Sequence, residues 1–456
     1  MRIAYVSPMP PQRSGIADYS AELLPHLGRR LEVDLYTAEE SLTGRAPVGA
    51  REARAYAELP GAAAGYDAVL YHLGNDARFH GEIYRLLHDH PGVVVLHELV
   101  IHELVQAMTL MAGDVAGYVD VMRYCYGTSG ERAARFSASS GIPVDSAAFP
   151  LFERVVDAAN GVIVHNLTSL GRVKTSRPEA RVGRVPHHLD LGDLPDPEAL
   201  DPSVLRTSLG LPSDAPLVGT FGFLTPAKRL DVALRAFARA RQSVPGAKML
   251  LVGEPIKGYD LEELIPAEAR RDVILTGRVG MSDFLRYLAA VDVVVNLRHP
   301  SRGETSGTLM RALGIGKAVV VTDAGAFAEI PDGCCVKVAL GVHEEALLAA
   351  SLERLLGDPE LRDAMGSNAR RVVSRRHTLE GSAGRYHAFL RRVARESAHR
   401  PRRPPVPPLA PWQRGDMLVE LVKEVSSEAT ELGLGGDKEL LRALAEDLVD
   451  LGLDRA

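Results

Sequence analysis

The sequence predicts an α/β protein with two doubly wound domains, each built on a parallel β-sheet, followed by a small C-terminal helical hairpin. Three observations lead to this fold class. The chain has 456 residues, too many for one hydrophobic core of ordinary size. Short apolar runs alternate with segments of helical periodicity, as in parallel sheets covered on both faces. A proline-rich, acidic stretch at residues 185–202 divides these runs into two series.

Each series contains five predicted strands. The first series lies in a domain predicted for residues 1–186, with strands at 2–7, 31–37, 67–73, 93–97 and 161–165. The second lies in a domain predicted for residues 187–398, with strands at 216–221, 248–253, 272–277, 291–297 and 318–322. Residues 99–156 are long, have helical spacing and contain no convincing strand. We therefore expect a helical insertion in the first domain.

The chain changes character near its C-terminal end. A proline- and arginine-rich segment, 399–412, predicts a stiff, extended linker. Leucines at helical spacing on both sides of "GLGGD" predict a helical hairpin over 413–456. Residues 416–456 hold eleven acidic and four basic residues, net −7 by subtraction. We expect the hairpin to dock on the enzyme or on a protein partner through its leucine faces.

Composition restricts the classes of partner and compartment. A hydrophobic fraction of 46% with 25% charged residues is typical of a globular protein, and a net charge of −6 argues against a nucleic-acid binder. Three cysteines are too few for a disulfide framework, which favours a cytoplasmic setting. The N-terminus does not resemble a signal peptide, and no apolar run reaches the roughly 18 residues of a membrane span.

Peripheral contact with the inner face of a membrane stays open. Residues 385–403 contain seven arginines and one acid. This patch either approaches anionic lipid headgroups or is a solvated helix end and linker.

The segment "GETSGTLMRALGIG" opens a predicted helix directly after a predicted strand. The amides of Thr305, Ser306 and Gly307 then lie at a helix N-terminus, where the helix dipole favours phosphate. Gly307 allows close approach of a ligand to the backbone. The alternative is an ordinary helix that Thr305 or Ser306 caps.

Two further loops follow predicted strands at the carboxyl edges where open α/β sheets bind ligands. In "GTFGFLTPAKRLD", Lys228 and Arg229 either place positive charge over a diphosphate or form a solvated helix face. In "SPMPPQRSGIADYS", Ser14 and Gly15 precede a helix without the GxGxxG pattern of dinucleotide-binding proteins.

The stretch "LHELVIHEL" superficially resembles a zinc motif. His97 and His102 are five residues apart, whereas the HExxH pattern places its histidines four apart on one helix face. We therefore predict no metal site. His97, at the carboxyl end of a strand, is instead a candidate hydrogen-bonding residue in the cleft, or else a buried structural histidine.

Four strings of the chain, in this order, resemble the large retaining glycosyltransferase family 4, which has the two-domain GT-B fold: "GFLTPAKRLDVALRAFA", "LLVGE", "LTGRVGMSDFLRYLAAVDVVVNLR" and "GETSGTLMRALGIGKAVVVTDAGAFAEIPDG". The resemblance covers roughly residues 1–398. It implies transfer of a sugar from a nucleotide-sugar donor, GDP- or UDP-linked, to an acceptor hydroxyl with retention of configuration. A metal-independent reaction in cell-surface glycan, polysaccharide or glycolipid synthesis is expected, with a glycan or a lipid-linked molecule as acceptor.

The resemblance also implies roles for the candidate residues. Glu304 would contact donor-sugar hydroxyls, the amides of residues 305–307 the phosphates, and Lys228 the departing diphosphate. Ser14 and Gly15 occupy the place of the family's glycine loop. His97, with Glu98 as the acid, occupies the place of a histidine-acid pair close to the reacting sugar.

Three features depart from the family pattern. Arg311 stands where the family has its second glutamate, and it cannot accept hydrogen bonds from a ribose diol. Phe223 stands where an arginine is common, a loss for which Arg229 is a candidate compensation. His187 and His188 replace an asparagine-glycine pair at the hinge.

Three functional hypotheses follow. The first is an active transferase. The second, motivated by Phe223 and Arg311, is a GT-B binding or scaffolding protein that has lost turnover. The third is a sugar-nucleotide epimerase on the same fold, which would form product from the donor alone.

Overall fold

The computed structural model describes residues 1–42, 44–192, 194–195 and 201–399. The predicted hairpin at 413–456 and nearly all of the predicted linker lie outside the described residues. Within the described part, the strands form two parallel sheets, one of seven strands and one of six.

The first sheet has the strand order β3-β2-β1-β4-β5-β6-β7. Its strands are β1 (Arg2–Val6), β2 (Glu32–Thr37), β3 (Glu52–Ala55), β4 (Ala68–Leu73), β5 (Val93–Leu96), β6 (Gly161–Val164) and β7 (Val182–Arg184). The five predicted strands are confirmed to within one residue at each end. The edge strands β3 and β7 were not predicted, because each has only three or four residues and no continuous apolar run.

Helices cover both faces of this sheet. They are α1 (Gly15–Gly28), α2 (Leu59–Ala62), α3 (Ala77–Asp89), α4 (His102–Met108), α5 (Val115–Ser140), α6 (Phe152–Ala158) and α7 (Leu167–Ser176). Helices α4, α5 and α6 fall in the predicted insertion, and no strand lies between β5 and β6 in this described region.

The second sheet has the strand order β10-β9-β8-β11-β12-β13. Its strands are β8 (Leu217–Phe221), β9 (Lys248–Val252), β10 (Val273–Gly277), β11 (Val293–Asn296), β12 (Ala318–Thr322) and β13 (Val336–Val338). The accompanying helices are α8 (Pro202–Ser208), α9 (Leu230–Ala240), α10 (Met281–Ala290), α11 (Gly307–Ile315), α12 (Gly325–Ala328), α13 (Glu344–Gly357), α14 (Pro359–Arg376) and α15 (Leu379–His399). The predicted strands are confirmed to within two residues, and β13 was not predicted.

Strand order reverses once in each sheet, between β1 and β4 and between β8 and β11. At such a switch point the loops after the two central strands diverge to opposite faces and leave a crevice for ligand. The loops that carry Ser14, Asn75, Lys228 and Glu304 follow β1, β4, β8 and β11, respectively. The topology therefore brings the candidate residues to the two switch points.

The last described helix, α15, packs on the first domain although it follows the second in the chain. Phe389, Leu390 and Val393 are buried in the same core cluster as residues of β1. The hydroxyls of Tyr386 and Tyr19 lie 2.8 Å apart. The predicted range 187–398 assigned this segment to the second domain, but its packing ties it to the first.

Candidate active site

A cleft between the two domains contains a cavity of about 300 Å³. Loops after β1, β4 and β5 line it from the first domain, and the loop after β11 lines it from the second. Seven of the residues predicted for the site line this cavity: Ser14, Gly15, His97, Glu304, Thr305, Gly307 and Arg311. The other three, Lys228, Arg229 and Ser306, lie elsewhere and are described below.

The loop after β1 leaves open space at the start of a long helix. Ser14 caps α1 by accepting a hydrogen bond from the Ile16 amide at 3.3 Å. A Cβ atom on Gly15 would meet nothing within 4 Å. Packing inside the protein therefore does not require glycine here, and the space above it belongs to the cleft. A helix N-terminus beside open space suits an anionic group.

The loop after β11 is held in place by the first domain. The Gly303 carbonyl accepts hydrogen bonds from Asn166 Nδ2 at 2.9 Å and from Ser169 Oγ at 2.8 Å. Asn166 Nδ2 also lies 3.3 Å from Thr305 Oγ1. Because these contacts fix the backbone directly before α11, the free amides at the start of that helix have a defined position beside the cleft.

Glu304 and Glu98 approach the cavity from opposite domains. The Glu304 carboxylate accepts a hydrogen bond from the Arg302 amide at 2.7 Å and lies 3.2 Å from Arg298 Nε. Glu98 accepts one from the Asn75 amide at 3.2 Å. Burial, and then the negative charge of Glu304, raise the pKa of Glu98 to about 7. Near neutral pH the Glu98 carboxyl is therefore partly protonated.

Ser306 does not line the first cavity. Its Oγ accepts a hydrogen bond from the Leu309 amide at 3.2 Å, so that it caps α11. It also lines a second cavity, of about 310 Å³, which shares Thr305 with the first. The capping interpretation is confirmed for this side chain, and donor binding at this position rests on the backbone amide alone.

Lys228 lies beneath the first turn of α11 instead of in the cleft cavity. Its buried ammonium donates a hydrogen bond to the Phe221 carbonyl. A Cβ atom on Gly222 would lie 3.2 Å from Lys228 Nζ and 3.4 Å from Thr308 Oγ1. Burial, followed by the charge of Arg298, lowers the pKa of Lys228 to about 7. An anion bound at the α11 N-terminus would restore the charged form of this lysine.

Arg229 is turned toward another helix. Its Nε lies 2.9 Å from the buried Glu344 carboxylate at the start of α13. The guanidinium does not line the cleft. The position of Arg229 therefore supports neither a direct contact with donor phosphate nor compensation for Phe223. Phe223 itself is 60% exposed.

Arg311 connects the two domains. Its Nη2 lies 3.1 Å from Glu22 Oε1 on α1, and its Nη1 donates to the Gly307 carbonyl at 3.3 Å. Both charged side chains line the cleft. The position at which the family has a ribose-binding glutamate is thus occupied by a cation that is already paired with an acid of the other domain.

His97 is embedded among other histidines. Its Nε2 lies 3.0 Å from His72 Nδ1, and its Nδ1 lies 3.2 Å from His165 Nε2. Burial is the largest cause that lowers the pKa of all three imidazoles. His97 therefore lines the cleft as a neutral ring.

Several residues at the site were not predicted from the sequence, among them Asn75, Arg298 and Glu22. Asn75 and Arg298 lie two residues after the ends of the switch-point strands β4 and β11, so the position of those strands was the signal that would have found them. Glu22 lies inside α1, where the sequence carries no signal of its contact with Arg311.

Metal clusters and membrane-spanning helices are both absent from the residues that the structure describes. No group of three or more His, Cys, Asp or Glu side chains there is placed to hold a metal ion. Among the same residues, no helix is both long and apolar enough to span a membrane.

Residues 215–358 match the family described as "Glycosyl transferases group 1". Three curated relatives align with parts of the chain. An alpha-D-kanosaminyltransferase of Streptomyces kanamyceticus is 25% identical, over 41% of this chain and 48% of its own length. A D-inositol 3-phosphate glycosyltransferase of Stackebrandtia nassauensis is 28% identical, over 62% and 71%. A lipopolysaccharide core biosynthesis mannosyltransferase of Rhizobium leguminosarum bv. viciae is 30% identical, over 44% and 56%. The chain thus spans about half the length of two of these three relatives.

Solved structures share the fold over most of the chain. HepE of Anabaena in complex with UDP has a TM-score of 0.58 at 19% identity, covering 88% of this chain and all of its own. WaaG, described as a glycosyltransferase involved in lipopolysaccharide biosynthesis, has a TM-score of 0.54 at 18% identity, covering 85% and 99%. These likenesses, with the two parallel sheets, confirm the predicted GT-B fold.

Proposed function

Because this chain is a GT-B protein with a glycosyl transferases group 1 segment at residues 215–358, we propose that it transfers a sugar from a nucleotide-sugar donor to an acceptor hydroxyl. The observation that supports this most strongly is the convergence of Lys228, the free N-terminal amides of α11 and the Ser14-Gly15 loop. All three lie at the two switch points, and each favours an anion.

In this proposal the donor diphosphate lies at the start of α11. The amides of residues 305–307 bind its oxygens, and Lys228 stabilises the charge that grows as the glycosidic bond breaks. Ser14 and Gly15 approach the same phosphates from the first domain. Glu304 accepts hydrogen bonds from donor-sugar hydroxyls once Arg298 yields to the ligand.

Retention of anomeric configuration is part of the proposal and follows from the family resemblance. Front-face displacement, in which a donor phosphate oxygen takes the acceptor proton, needs no protein nucleophile. The donor is GDP- or UDP-linked. One similar structure is named for its complex with UDP, and one relative and another structure are named for lipopolysaccharide synthesis. A glycan or lipid-linked acceptor is proposed by analogy with these names.

A metal-independent reaction remains part of the proposal, as does peripheral contact with the inner face of a membrane through the arginines of residues 385–403. Docking of the acidic segment 413–456 on the enzyme or a protein partner is also proposed. That segment lies outside the described residues, so its support is its sequence alone.

A donor panel with two matched lysine variants tests the central proposal. Product formation and nucleotide release are measured with GDP- and UDP-linked sugars for the wild type, Lys228→Met and Lys317→Met. Lys317 is a suitable control because desolvation lowers its pKa too, but it precedes β12 at the other end of the sheet. Turnover that is lost only in Lys228→Met supports the proposal. Turnover that survives in Lys228→Met contradicts the role of this lysine.

A second candidate function is a GT-B binding protein without turnover. The Arg311–Glu22 ion pair favours it, because the pair occupies the usual position of a ribose-binding carboxylate. Selective binding of one nucleotide with no product across a broad acceptor panel would support this candidate. Product formed from the donor alone would instead support an epimerase.

A further inference from the structure

Five histidines surround the ring of Tyr19 in the first domain and the hinge. Their ring centroids lie between 4.0 and 5.9 Å from that of Tyr19: His72, His97, His165, His187 and His188. Burial lowers the pKa of each, so the rings are neutral near pH 7. A neutral imidazole has one N–H donor and one lone-pair acceptor, so that one hydrogen bond to a group of known polarity fixes its tautomer.

The rings of His165, His97 and His72 form a row in which each hydrogen-bonds the next. Their tautomers can be assigned in turn, starting from His165. His165 Nδ1 lies 2.8 Å from the Val185 carbonyl, which can only accept, so Nδ1 carries the hydrogen. His165 Nε2 is then an acceptor and takes a hydrogen bond from His97 Nδ1. His97 Nε2 is in turn an acceptor and takes one from His72 Nδ1. The row ends at His72 Nε2, a buried acceptor without a partner.

This assignment uses both ring nitrogens of His97 inside the protein. Neither nitrogen remains for a hydrogen bond with a ligand, although the ring lines the cleft. The histidine that the family resemblance places beside the reacting sugar is therefore committed to its neighbours. If an imidazole contacts the ligand, it must therefore belong to a different histidine.

His187 has the opposite arrangement. Its Nδ1 lies 2.7 Å from the His188 carbonyl and so carries the hydrogen. Its Nε2 is an acceptor, has no hydrogen-bond partner among the described residues, and is not among the buried polar atoms. The residue lines the cleft together with Tyr19, Thr305 and Arg311. A lone pair on a neutral ring thus faces the cavity.

His188 explains how this geometry is held. Its ring is fully buried and its Nε2 donates to the Tyr19 carbonyl at 3.1 Å, which anchors the hinge on α1. The His187 ring then packs against Tyr19 with centroids 5.0 Å apart. His188 thus anchors the hinge, and His187 presents a hydrogen-bond acceptor to the cleft.

We propose that His187, and not His97, is the imidazole that contacts substrate, through a hydrogen bond that its Nε2 accepts from a sugar hydroxyl. His97 is a positioning residue that keeps the row of rings in place. The inference rests on the proposed glycosyl transfer. A hydroxyl of the donor sugar and a hydroxyl of the acceptor share this chemistry, and the measurements below separate the two.

Two isosteric substitutions separate the ring nitrogens. His187→Asn keeps an amide donor near the Nδ1 position and removes the Nε2 acceptor, whereas His187→Gln places an amide oxygen near the Nε2 position. His88→Asn is the matched control, because its Nδ1 also lies 2.8 Å from a carbonyl, that of Tyr84, and the residue lines neither cavity. Thermal midpoints check that each variant folds.

Donor affinity is measured by calorimetry without acceptor, and the acceptor KM by steady-state transfer. We expect His187→Asn to lose about tenfold or more in one of the two, as for one unmade hydrogen bond, with recovery in His187→Gln and no change in His88→Asn. A loss in donor affinity identifies a donor hydroxyl, and a loss in acceptor KM identifies an acceptor hydroxyl.

Two results would overturn the inference in distinguishable ways. Wild-type turnover, with donor affinity and acceptor KM unimpaired in His187→Asn, overturns the role of His187 alone. A wild type that turns over no nucleotide sugar overturns the proposed function, and the role of His187 with it.

Discussion

Glu22 on α1 and Arg311 on α11 form an ion pair across the cleft, with Oε1 and Nη2 3.1 Å apart. Each side chain is less than one-fifth exposed, at 19% and 16%. Because water screens such a pair only in part, we infer that it contributes to the arrangement of the two domains around the donor site.

A double-mutant cycle tests this contribution. Glu22→Gln and Arg311→Leu should each weaken nucleotide binding, and the double variant should lose less than the sum, with a coupling energy of about 0.5–3 kcal/mol. The measurement is calorimetric Kd for UDP and GDP. Additive losses would mean that the two residues act on the nucleotide independently of each other.

Lys228→Met should have opposite effects on stability and on binding. The folded-state pKa of Lys228 is lowered to about 7 from 10.5, so folding disfavours the charged form, and the cost is largest below pH 7 and disappears as pH rises toward 10.5. The variant should therefore melt above the wild type at pH 6.5, with the difference shrinking at higher pH, yet bind nucleotide at least tenfold more weakly.

Lys317→Met is the control for this pair of effects. Burial lowers the pKa of Lys317 to about 8, so replacing it should give a similar gain in stability. Its nucleotide affinity should equal that of the wild type. Equal loss of affinity in both variants would indicate a general effect of removing a buried lysine.

The raised pKa of Glu98 predicts a pH dependence of donor affinity that Glu98→Gln reduces. The folded-state pKa of about 7 exceeds the ordinary value of 4.5, so the folded protein loses stability as pH rises from 4.5 to 7. Ionised Glu98 also repels a diphosphate. Donor affinity of the wild type should fall as pH rises through 7. That of Glu98→Gln should fall less steeply, because only the loss of the Lys228 charge then remains. Calorimetry between pH 6 and 8.5 is the measurement, with the exposed Glu82→Gln as control. Equally steep falls in Glu98→Gln and in the wild type would show that Glu98 does not contribute.

The sequence allowed the sheets and the switch-point loops to be predicted, because strands buried on both faces are continuous apolar runs. It did not reveal β3, β7 and β13, in which three or four residues at a sheet edge carry too little pattern. The packing of α15 on the first domain could not be predicted from the sequence either. Its apolar face has the same spacing whichever domain it covers.

The sequence predicted which residues lie in the cleft better than it predicted which side chains they contact. Loops at strand ends identified Ser14, Gly15, Glu304 and Thr305 as cleft residues. The partners of Arg229, Arg311 and His97 were not predictable, since Glu344, Glu22 and His165 lie 115, 289 and 68 positions away in the chain. Such partners depend on tertiary packing that periodicity does not report.

The Asn166 side chain has two roles, to cap a helix and to hold the loop before α11, and a substitution can remove the second while keeping the first. Its Oδ1 accepts a hydrogen bond from the Ser169 amide at 2.7 Å and caps α7, while its Nδ2 donates to the Gly303 carbonyl at 2.9 Å. Asn166→Asp keeps the cap but sets a carboxylate oxygen against that carbonyl. The loop before α11 should then move, with about a tenfold loss of donor affinity.

Asn160→Asp is the matched control for this change. Asn160 Nδ2 donates to the Pro91 carbonyl at 3.0 Å, also within the first domain but away from both cavities. Both variants lose one amide-to-carbonyl hydrogen bond, so their thermal midpoints should fall by similar amounts. Only Asn166→Asp should weaken calorimetric binding of nucleotide, since of the two bonds only the one from Asn166 holds the loop whose amides we propose to bind the phosphates. Equal affinities in the two variants would show that the α11 N-terminus keeps its position without this contact.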